Sequence, residues 1–272
     1  MKIKILLLIS TLFIFVGCKK QEKTLSQKLE YEDIKVKEVK FYQNNPKYAN
    51  YSFDINIQLP KIISDTLFKD FRKTIIEHIF NVNSDTININ LAINNYIQEK
   101  SDAFQEPGVD RFMNKANQYK LWSNLNCKFI YNKDNLCSYK IFEDNFTGGA
   151  HPYQEVYYLN YDLSLNKKLN FEDIFIPTSI DDISLKEMLI NQLMKQEKAK
   201  TISDLNLFDV ESPKDFKVSQ MIYFDSLDIV FAYAQYDIRA YAYGAPEIKL
   251  PINLLTKYFT EDFKKRFIPT KK

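Results

Sequence analysis

An alternation of apolar and polar residues near the middle of the chain is the strongest constraint on the fold. One face of the segment 121–131 collects Leu121, Leu125, Cys127, Phe129 and Tyr131, and the other carries Asn124, Asn126 and Lys128. A period of two is typical of a half-buried strand. Residues 132–135 then offer a turn into 136–142, where Cys137, Tyr139 and Ile141 again share a face. An antiparallel hairpin is predicted.

The register of this hairpin decides how the two central cysteines are arranged. Matching the apolar faces places Tyr131 opposite Cys137 and Cys127 opposite Ile141. The cysteines are then separated by roughly 13 Å along the sheet, at about 3.3 Å per residue. Because a disulfide needs Cα atoms within about 7 Å, two buried free thiols are predicted.

Other segments show a strand period or a helical period. Further strands are predicted at 34–42, 51–59, 153–163, 216–224 and 227–234, the first two as an antiparallel pair. Helices are predicted after the cap residues Ser64 and Asp65, within 85–104, where length favours a helix over a strand, and after Ser184, which forms a capping-box pattern with Glu187. A closing strand and short helix are predicted in 247–259. Without regular βαβ alternation, the class is α+β, with antiparallel sheets packed against a few helices in two closely associated subdomains.

The N-terminus reads as an export signal. Lys2 and Lys4 precede an apolar run, 5–16, which is shorter than the roughly 20 residues of a spanning helix. The run ends at Gly17-Cys18, a lipobox-like end, and its rival is an ordinary signal peptide that contains a cysteine. Residues 1–17 are therefore predicted to be a signal peptide, Cys18 the lipidation site, and 18–30 a polar tether.

This N-terminus predicts the cellular location, and the charge left after its cleavage argues against nucleic acid as a partner. A membrane-anchored lipoprotein of the cell envelope is expected, periplasmic or at the cell surface, held to the membrane by a lipid such as palmitate. Removing Lys2 and Lys4 from 37 basic and 35 acidic residues leaves 35 of each. A net charge of zero leaves no electrostatic footprint for nucleic acid, so no nucleic-acid partner is expected.

Residues suited to catalysis are scarce. The chain has two histidines. His78 flanks an apolar helix stripe and is interpreted as structural, whereas His151 follows Gly148 and Gly149, whose freedom at positive φ lets a loop present the imidazole. Locking that loop is the commoner role for such a histidine. Metal-ligand spacings and phosphate-binding glycine loops are missing from the sequence, so no catalytic residue, metal, cofactor or enzymatic activity is expected.

Two acidic pairs and a group of tyrosines are further candidates for a functional site. Asp181 with Asp182 and Glu172 with Asp173 lie where helix N-termini favour acids. Four tyrosines surround Gly244 and Pro246, and exposed tyrosines favour binding surfaces, although core packing is the alternative. The candidate ligand-binding residues are His151, Tyr236, Tyr241 and Tyr243, with Tyr233 nearby in sequence, and the loop-shaping residues are Gly148, Gly149 and Gly244.

Three motifs carry a family resemblance. They are Phe146-Thr147-Gly148-Gly149-Ala150-His151-Pro152, Leu169-Asn170-Phe171-Glu172-Asp173-Ile174-Phe175, and the tail from Tyr236-Asp237-Ile238-Arg239 to Tyr243-Gly244-Ala245-Pro246. Residues 146–262 thereby resemble the DUF3298 domain. Residues 31–145 are similar to its usual N-terminal companion, DUF4163, the PdaC-type domain.

The resemblance implies a role in the envelope. Such domains occur in the lysozyme-binding ectodomain of an anti-sigma factor and in the non-catalytic part of a peptidoglycan deacetylase. We expect this chain to lack the sigma-binding segment of the first and the deacetylase domain of the second. The expectation is a lipid-anchored binding module for a lysozyme-like protein or peptidoglycan. The alternatives are a wall-polymer hydrolase or deacetylase-like enzyme using His151, and a passive structural lipoprotein.

Overall fold

The computed structural model describes residues 29–61, 68–82, 88–105 and 120–268. The predicted signal peptide, Cys18, most of the tether and the Ser64–Asp65 cap lie outside these ranges. Leu29, which the sequence assigned to the tether, is buried in the first of two main cores.

The central element is a six-stranded sheet in the order β1-β2-β3-β4-β5-β6. Its strands are β1 (Tyr31–Phe41), β2 (Asn50–Pro60), β3 (Lys120–Lys133), β4 (Leu136–Phe146), β5 (Tyr153–Asp162) and β6 (Lys167–Leu169). The predicted pairing of β1 with β2 is confirmed, and neighbours are antiparallel except β2 and β3, which are parallel. A parallel pair needs a long crossover, and here the crossover contains two helices.

Those helices cover one face of the sheet. They are α1 (Lys69–Phe80) and α2 (Ile89–Gln105), which confirms a helix rather than a strand in the second segment. Their apolar stripes, at helical spacing, pack on alternate strand residues to form the first core. Phe71 of α1 stacks on Tyr161 of β5, with ring centroids 3.9 Å apart. The predicted domain boundary at 145/146 falls at the end of β4, inside this sheet.

The β3–β4 hairpin follows the predicted register for only part of its length. Cys127 lies opposite Ile141 as predicted, but Tyr131 lies opposite Ser138, so the prediction that it faces Cys137 is wrong. The register shifts between Phe129 and Tyr131. A bulge inserts one residue and turns the following side chains to the other face. Tyr131 therefore packs against the second core, although the alternation placed it in the first.

Cys127 and Cys137 are buried and free, as predicted. Desolvation by burial raises the pKa of both thiols well above the usual value. In a chain without Cys18, neither thiol is expected to react with Ellman's reagent in the native state, and both should react after unfolding, because the thiolate is the nucleophile. A native mass lower by the two hydrogens of a disulfide would contradict this prediction.

A second layer covers the opposite face of the sheet at the β4–β5 end. It contains a three-stranded antiparallel sheet of β7 (Ile222–Asp225), β8 (Asp228–Ala232) and β9 (Glu247–Pro251). Its helices are α3 (Phe171–Ile174), α4 (Ile183–Glu197), α5 (Ile252–Leu255) and α6 (Glu261–Phe267). Together these elements enclose the second core, and the α+β class is confirmed.

Buried polar side chains join the two layers. Ser138 donates to Asn160 at 2.6 Å, and Asn160 donates to the carbonyl of Ile222 at 2.8 Å. The N–H of Phe224 donates to Ser138 Oγ at 3.0 Å. Two side chains of the first sheet thus form hydrogen bonds with backbone groups at the outer edge of β7. Those backbone groups would destabilise the fold if they were buried without partners.

Two boundaries in the second layer differ from the predictions. Asp182, not Ser184, caps α4, because its carboxylate accepts the N–H of Leu185 at 3.0 Å and the helix begins at Ile183. The strand predicted at 216–224 begins only at Ile222, since the preceding segment has no ladder partner. Among the described residues, no helix has the length and apolar character needed to cross a bilayer.

Candidate binding site at the histidine and tyrosine loops

Two loops distant in sequence meet at one end of the molecule. Residues 147–152 link β4 to β5, and residues 233–246 link β8 to β9. Tyr236 Oη lies 2.9 Å from His151 Nε2. The imidazole stacks on Tyr241 with centroids 3.9 Å apart and ring planes 13° apart. We call His151, Tyr236 and Tyr241 the aromatic cluster.

Hydrogen bonding fixes the orientation of the imidazole. His151 Nδ1 lies 2.8 Å from the carbonyl oxygen of Pro152. A carbonyl can only accept, so Nδ1 carries the proton and donates it. In the neutral ring Nε2 is then the acceptor, and Tyr236 donates to it. In catalytic triads a carboxylate accepts the hydrogen bond from histidine Nδ1, whereas here a backbone carbonyl accepts it. The arrangement therefore suits an imidazole held in one orientation by the loop better than a general base.

Glycines shape both loops. Gly148 and Gly149 have φ of 100° and 113°, and Gly244 has φ of 73°. A Cβ added at any of the three would meet nothing within 4 Å. Backbone conformation, rather than lack of space, therefore explains glycine at these positions.

The four tyrosines do not share one environment. Tyr233 is buried in the second core, where its hydroxyl donates to the carbonyl of Lys217 at 2.8 Å. It is not part of the cluster. Tyr236 and Tyr243 are 49% and 51% exposed. Within the described ranges the side chain of Tyr243 has no hydrogen bond or ring contact, and its ring is half-exposed to solvent on the neighbouring turn.

Arg239 supports the tyrosine turn, and sequence reasoning missed it. Its side chain is only 7% exposed. Nη1 donates to both carboxylate oxygens of Glu197 on α4, at 2.7 and 2.8 Å, and Nε donates to the carbonyl of Gly244 at 2.9 Å. The signal that could have found it is a single cation between Ile238 and Ala240 in an otherwise apolar and aromatic stretch.

His78 lies near the end of α1 and makes none of the contacts of the aromatic cluster. It borders a cavity of about 410 Å³ between the end of α1 and the sheet, together with Glu77, Glu143 and Tyr157. Its ring meets Tyr157 edge-on at 6.3 Å, and desolvation lowers the pKa of the imidazole. Across the described parts of the chain, no three His, Cys, Asp or Glu side chains lie close enough to hold a metal ion.

The acidic pairs occur at helix starts. Asp173 accepts the N–H of Asn170 at 2.9 Å in the capping box of α3. Asp182 caps α4, and hydrogen bonds from the Leu185 backbone and the Tyr258 hydroxyl lower the pKa of its carboxyl. These contacts account for the acids through local structure.

Family models match both halves of the chain. The model described as "Deacetylase PdaC" matches residues 47–154, and the model described as "Protein of unknown function (DUF3298)" matches residues 172–253. The chain combines a PdaC-type domain with a DUF3298 domain. His151 lies within the first match, whereas Tyr236, Tyr241 and Arg239 lie within the second. The two domains thus build the aromatic cluster jointly.

Two solved structures share the fold of this PdaC–DUF3298 chain. A DUF3298 family member from Bacteroides fragilis is 24% identical with a TM-score of 0.75, covering 87% of this chain and 95% of that one. A DUF3298 family protein from Pseudomonas aeruginosa is 17% identical with a TM-score of 0.62, covering 88% and 97%. No curated protein matched the chain. At these identities the likeness shows the fold alone.

Proposed function

We propose that this protein is a lipid-anchored module of the cell envelope that binds its ligand through the aromatic cluster and Tyr243. The PdaC-type and DUF3298 domains indicate an envelope-associated protein. The lipid anchor on Cys18, and with it a periplasmic or cell-surface location, belongs to the proposal and rests on the N-terminal sequence.

The convergence of two loops into one exposed aromatic surface carries the proposal. Tyr236 and His151 are 85 residues apart in sequence, yet they are hydrogen-bonded. The rings hold each other by stacking, and Arg239 ties the turn to α4. Tyrosine rings held in place lose little conformational entropy on binding, and they are enriched among the residues that dominate binding energy.

The ligand is a lysozyme-like protein or peptidoglycan, and the loop geometry favours the protein. The rings of Tyr236 and Tyr243 lie on loops and are about half-exposed. Projecting aromatic loops are the usual paratopes for protein partners. The resemblance to a lysozyme-binding ectodomain supports the same class of partner.

Binding is expected to depend on Tyr236 and Tyr241. Either substitution by alanine should weaken binding to an immobilised purified muramidase by about tenfold or more, because truncating a central aromatic contact costs about 1–2 kcal/mol or more. Tyr157→Ala is the matched control, since Tyr157 is also 49% exposed but lies by the His78 cavity. Its affinity should stay within about twofold of wild type.

Wall sacculi form the second arm of the same assay. Sacculus binding that depends on Tyr236, with no muramidase binding, would move the ligand class to peptidoglycan. Failure of the intact protein to bind either material would contradict the proposal and support a passive structural lipoprotein.

His151→Ala separates binding from hydrolysis. Both ring nitrogens are engaged within the loops, so the variant should lose about 1 kcal/mol of stability and part of the binding. A hydrolase or deacetylase-like enzyme using His151 would instead show turnover of wall polymers that disappears in this variant, with an unchanged melting temperature.

A further inference from the structure

One face of the six-stranded sheet is covered by the second layer only at the β4–β5 end. Over β2 and β3 the outward side chains remain open. They are Ser52, Asp54, Asn56 and Gln58 on β2, and Trp122, Asn124, Asn126 and Lys128 on β3. We call these eight residues the open sheet face. Because β2 and β3 are parallel, Ser52 lies beside Trp122, Asp54 beside Asn124, and Asn56 beside Asn126.

Amide side chains dominate the middle of this face. Asn124 and Asn126 are exposed and make no side-chain hydrogen bond within the described ranges. Asn56 donates to Asp54 at 2.7 Å, which leaves its amide oxygen open as an acceptor. Asn56, Gln58 and Asn126 also border a shallow depression of about 240 Å³. Amides donate and accept at once, as do the hydroxyl groups of a sugar.

A fixed aromatic ring stands at one end of the amides. Trp122 is half-buried; its indole N–H donates to Asp144 at 3.0 Å, and its ring stacks on Phe146 with centroids 4.8 Å apart. Both contacts come from β4, so the ring is oriented before any ligand arrives. Sugar rings present C–H groups that pack on such an aromatic surface, and a preoriented ring loses little entropy on contact.

Charge on and around this face is close to balanced. The outward carboxylates are Asp33, Asp54 and Asp144, and the outward lysines are Lys35, Lys37, Lys120 and Lys128, while Lys140 lies 3.9 Å from Glu247. Lys37 pairs with Asp54 at 2.8 Å. No single-sign field favours a polyanion or a polycation. The surface therefore complements an uncharged, hydrogen-bonding partner.

We propose that the open sheet face binds a linear, uncharged oligosaccharide, with one sugar ring on Trp122 and the next along Asn124 and Asn126. Trp122 and Asn126 are four residues apart on one strand, roughly 13 Å at about 3.3 Å per residue, which matches the length of a di- or trisaccharide. This site lies on a different surface from the aromatic cluster and does not rest on the function proposed for that cluster.

The tryptophan allows a direct test, because Trp122 is the only one in the chain. Tri-N-acetylchitotriose and cellotriose are titrated into the intact protein while tryptophan emission is recorded, with calorimetry as a second readout. At least one of the two should give a saturable change in emission. Asn124→Ala and Asn126→Ala should each weaken that binding about fivefold, the loss expected for about 1 kcal/mol of hydrogen bonding.

Matched variants keep the test specific. Asn191→Ala removes an exposed amide from α4, away from this face, and should bind sugar like wild type. Tyr236→Ala should retain sugar binding, so failure of one site is distinguishable from failure of the other. The absence of a saturable change with either trisaccharide would overturn the proposal. Wild-type affinity in both Asn124→Ala and Asn126→Ala, or stronger binding of a polyanionic oligogalacturonate, would overturn it as well.

Discussion

Arg266→Ala is expected to destabilise the protein by about 3 kcal/mol, and adding Asp162→Asn should recover part of that loss. Asp162, at the end of β5, is 0% exposed. One carboxylate oxygen accepts the N–H and hydroxyl of Ser164 and the N–H of Leu165. The other forms an ion pair with Arg266 of α6. Removing the guanidinium would leave a buried charge without compensation.

The decisive result is a reversal of sign. In the native background Asp162→Asn breaks the ion pair and should cost about 1–3 kcal/mol. In the Arg266→Ala background the same change keeps an oxygen for the turn and removes the isolated charge, so it should stabilise. Urea unfolding of the wild type, the two single variants and the double variant measures the coupling energy between Asp162 and Arg266. Lys265→Ala, on an exposed neighbour, serves as the control, and strictly additive effects would show that Asp162 does not depend on Arg266.

The second large effect concerns the ion pair between Arg239 and Glu197, which supports the tyrosine turn. Removing Glu197, the more exposed partner, should destabilise the protein more than removing Arg239. Glu197 is 33% exposed, whereas Arg239 is 7% exposed. Glu197→Ala leaves a buried guanidinium unpaired and should cost about 3 kcal/mol. Arg239→Met leaves a carboxylate that water can reach, so its cost should be smaller, about 1–2 kcal/mol. Thermal and urea unfolding measure which of the two substitutions destabilises the protein more.

An ordinary surface pair supplies the comparison. Glu30 and Lys61 are half-exposed and 3.9 Å apart, so Glu30→Ala should cost less than about 1 kcal/mol. Arg239→Met should also weaken ligand binding, because Gly244 loses the donor that holds the turn. A Glu197→Ala variant as stable as Glu30→Ala would mean that Arg239 is adequately solvated without its partner.

Local patterns predicted the elements better than their meeting points. The apolar faces of the hairpin were enough to pair Cys127 with Ile141, because one face of each strand must be buried. They could not reveal the bulge before Tyr131. The bulge turns Tyr131 toward the second core, which the local pattern does not show. Ser184 and Asp182 are both competent caps, and only the observed bond to Leu185 distinguishes them.

The candidate site was predictable by residue type but not by geometry. Glycines before His151 and tyrosines around Gly244 marked both loops as unusual. The contact between the two loops depends on how the second layer packs on β4 and β5. The local spacing of apolar residues carries no information about that packing. Arg239 and Asp162 were missed for a related reason. Charged residues are expected at the surface, and their burial follows from partners 42 and 104 positions away in the sequence.

The parallel pairing of β2 with β3 has a consequence for the order of folding. β1 with β2, and β3 with β4 and β5, can each form from neighbouring segments through short connections. Joining these two units requires the ends of segment 61–119 to meet, and such loop closure costs chain entropy before any contact repays it. The β2–β3 seam is therefore expected to assemble last within the sheet, so substitutions along it should chiefly accelerate unfolding while leaving the refolding rate nearly unchanged.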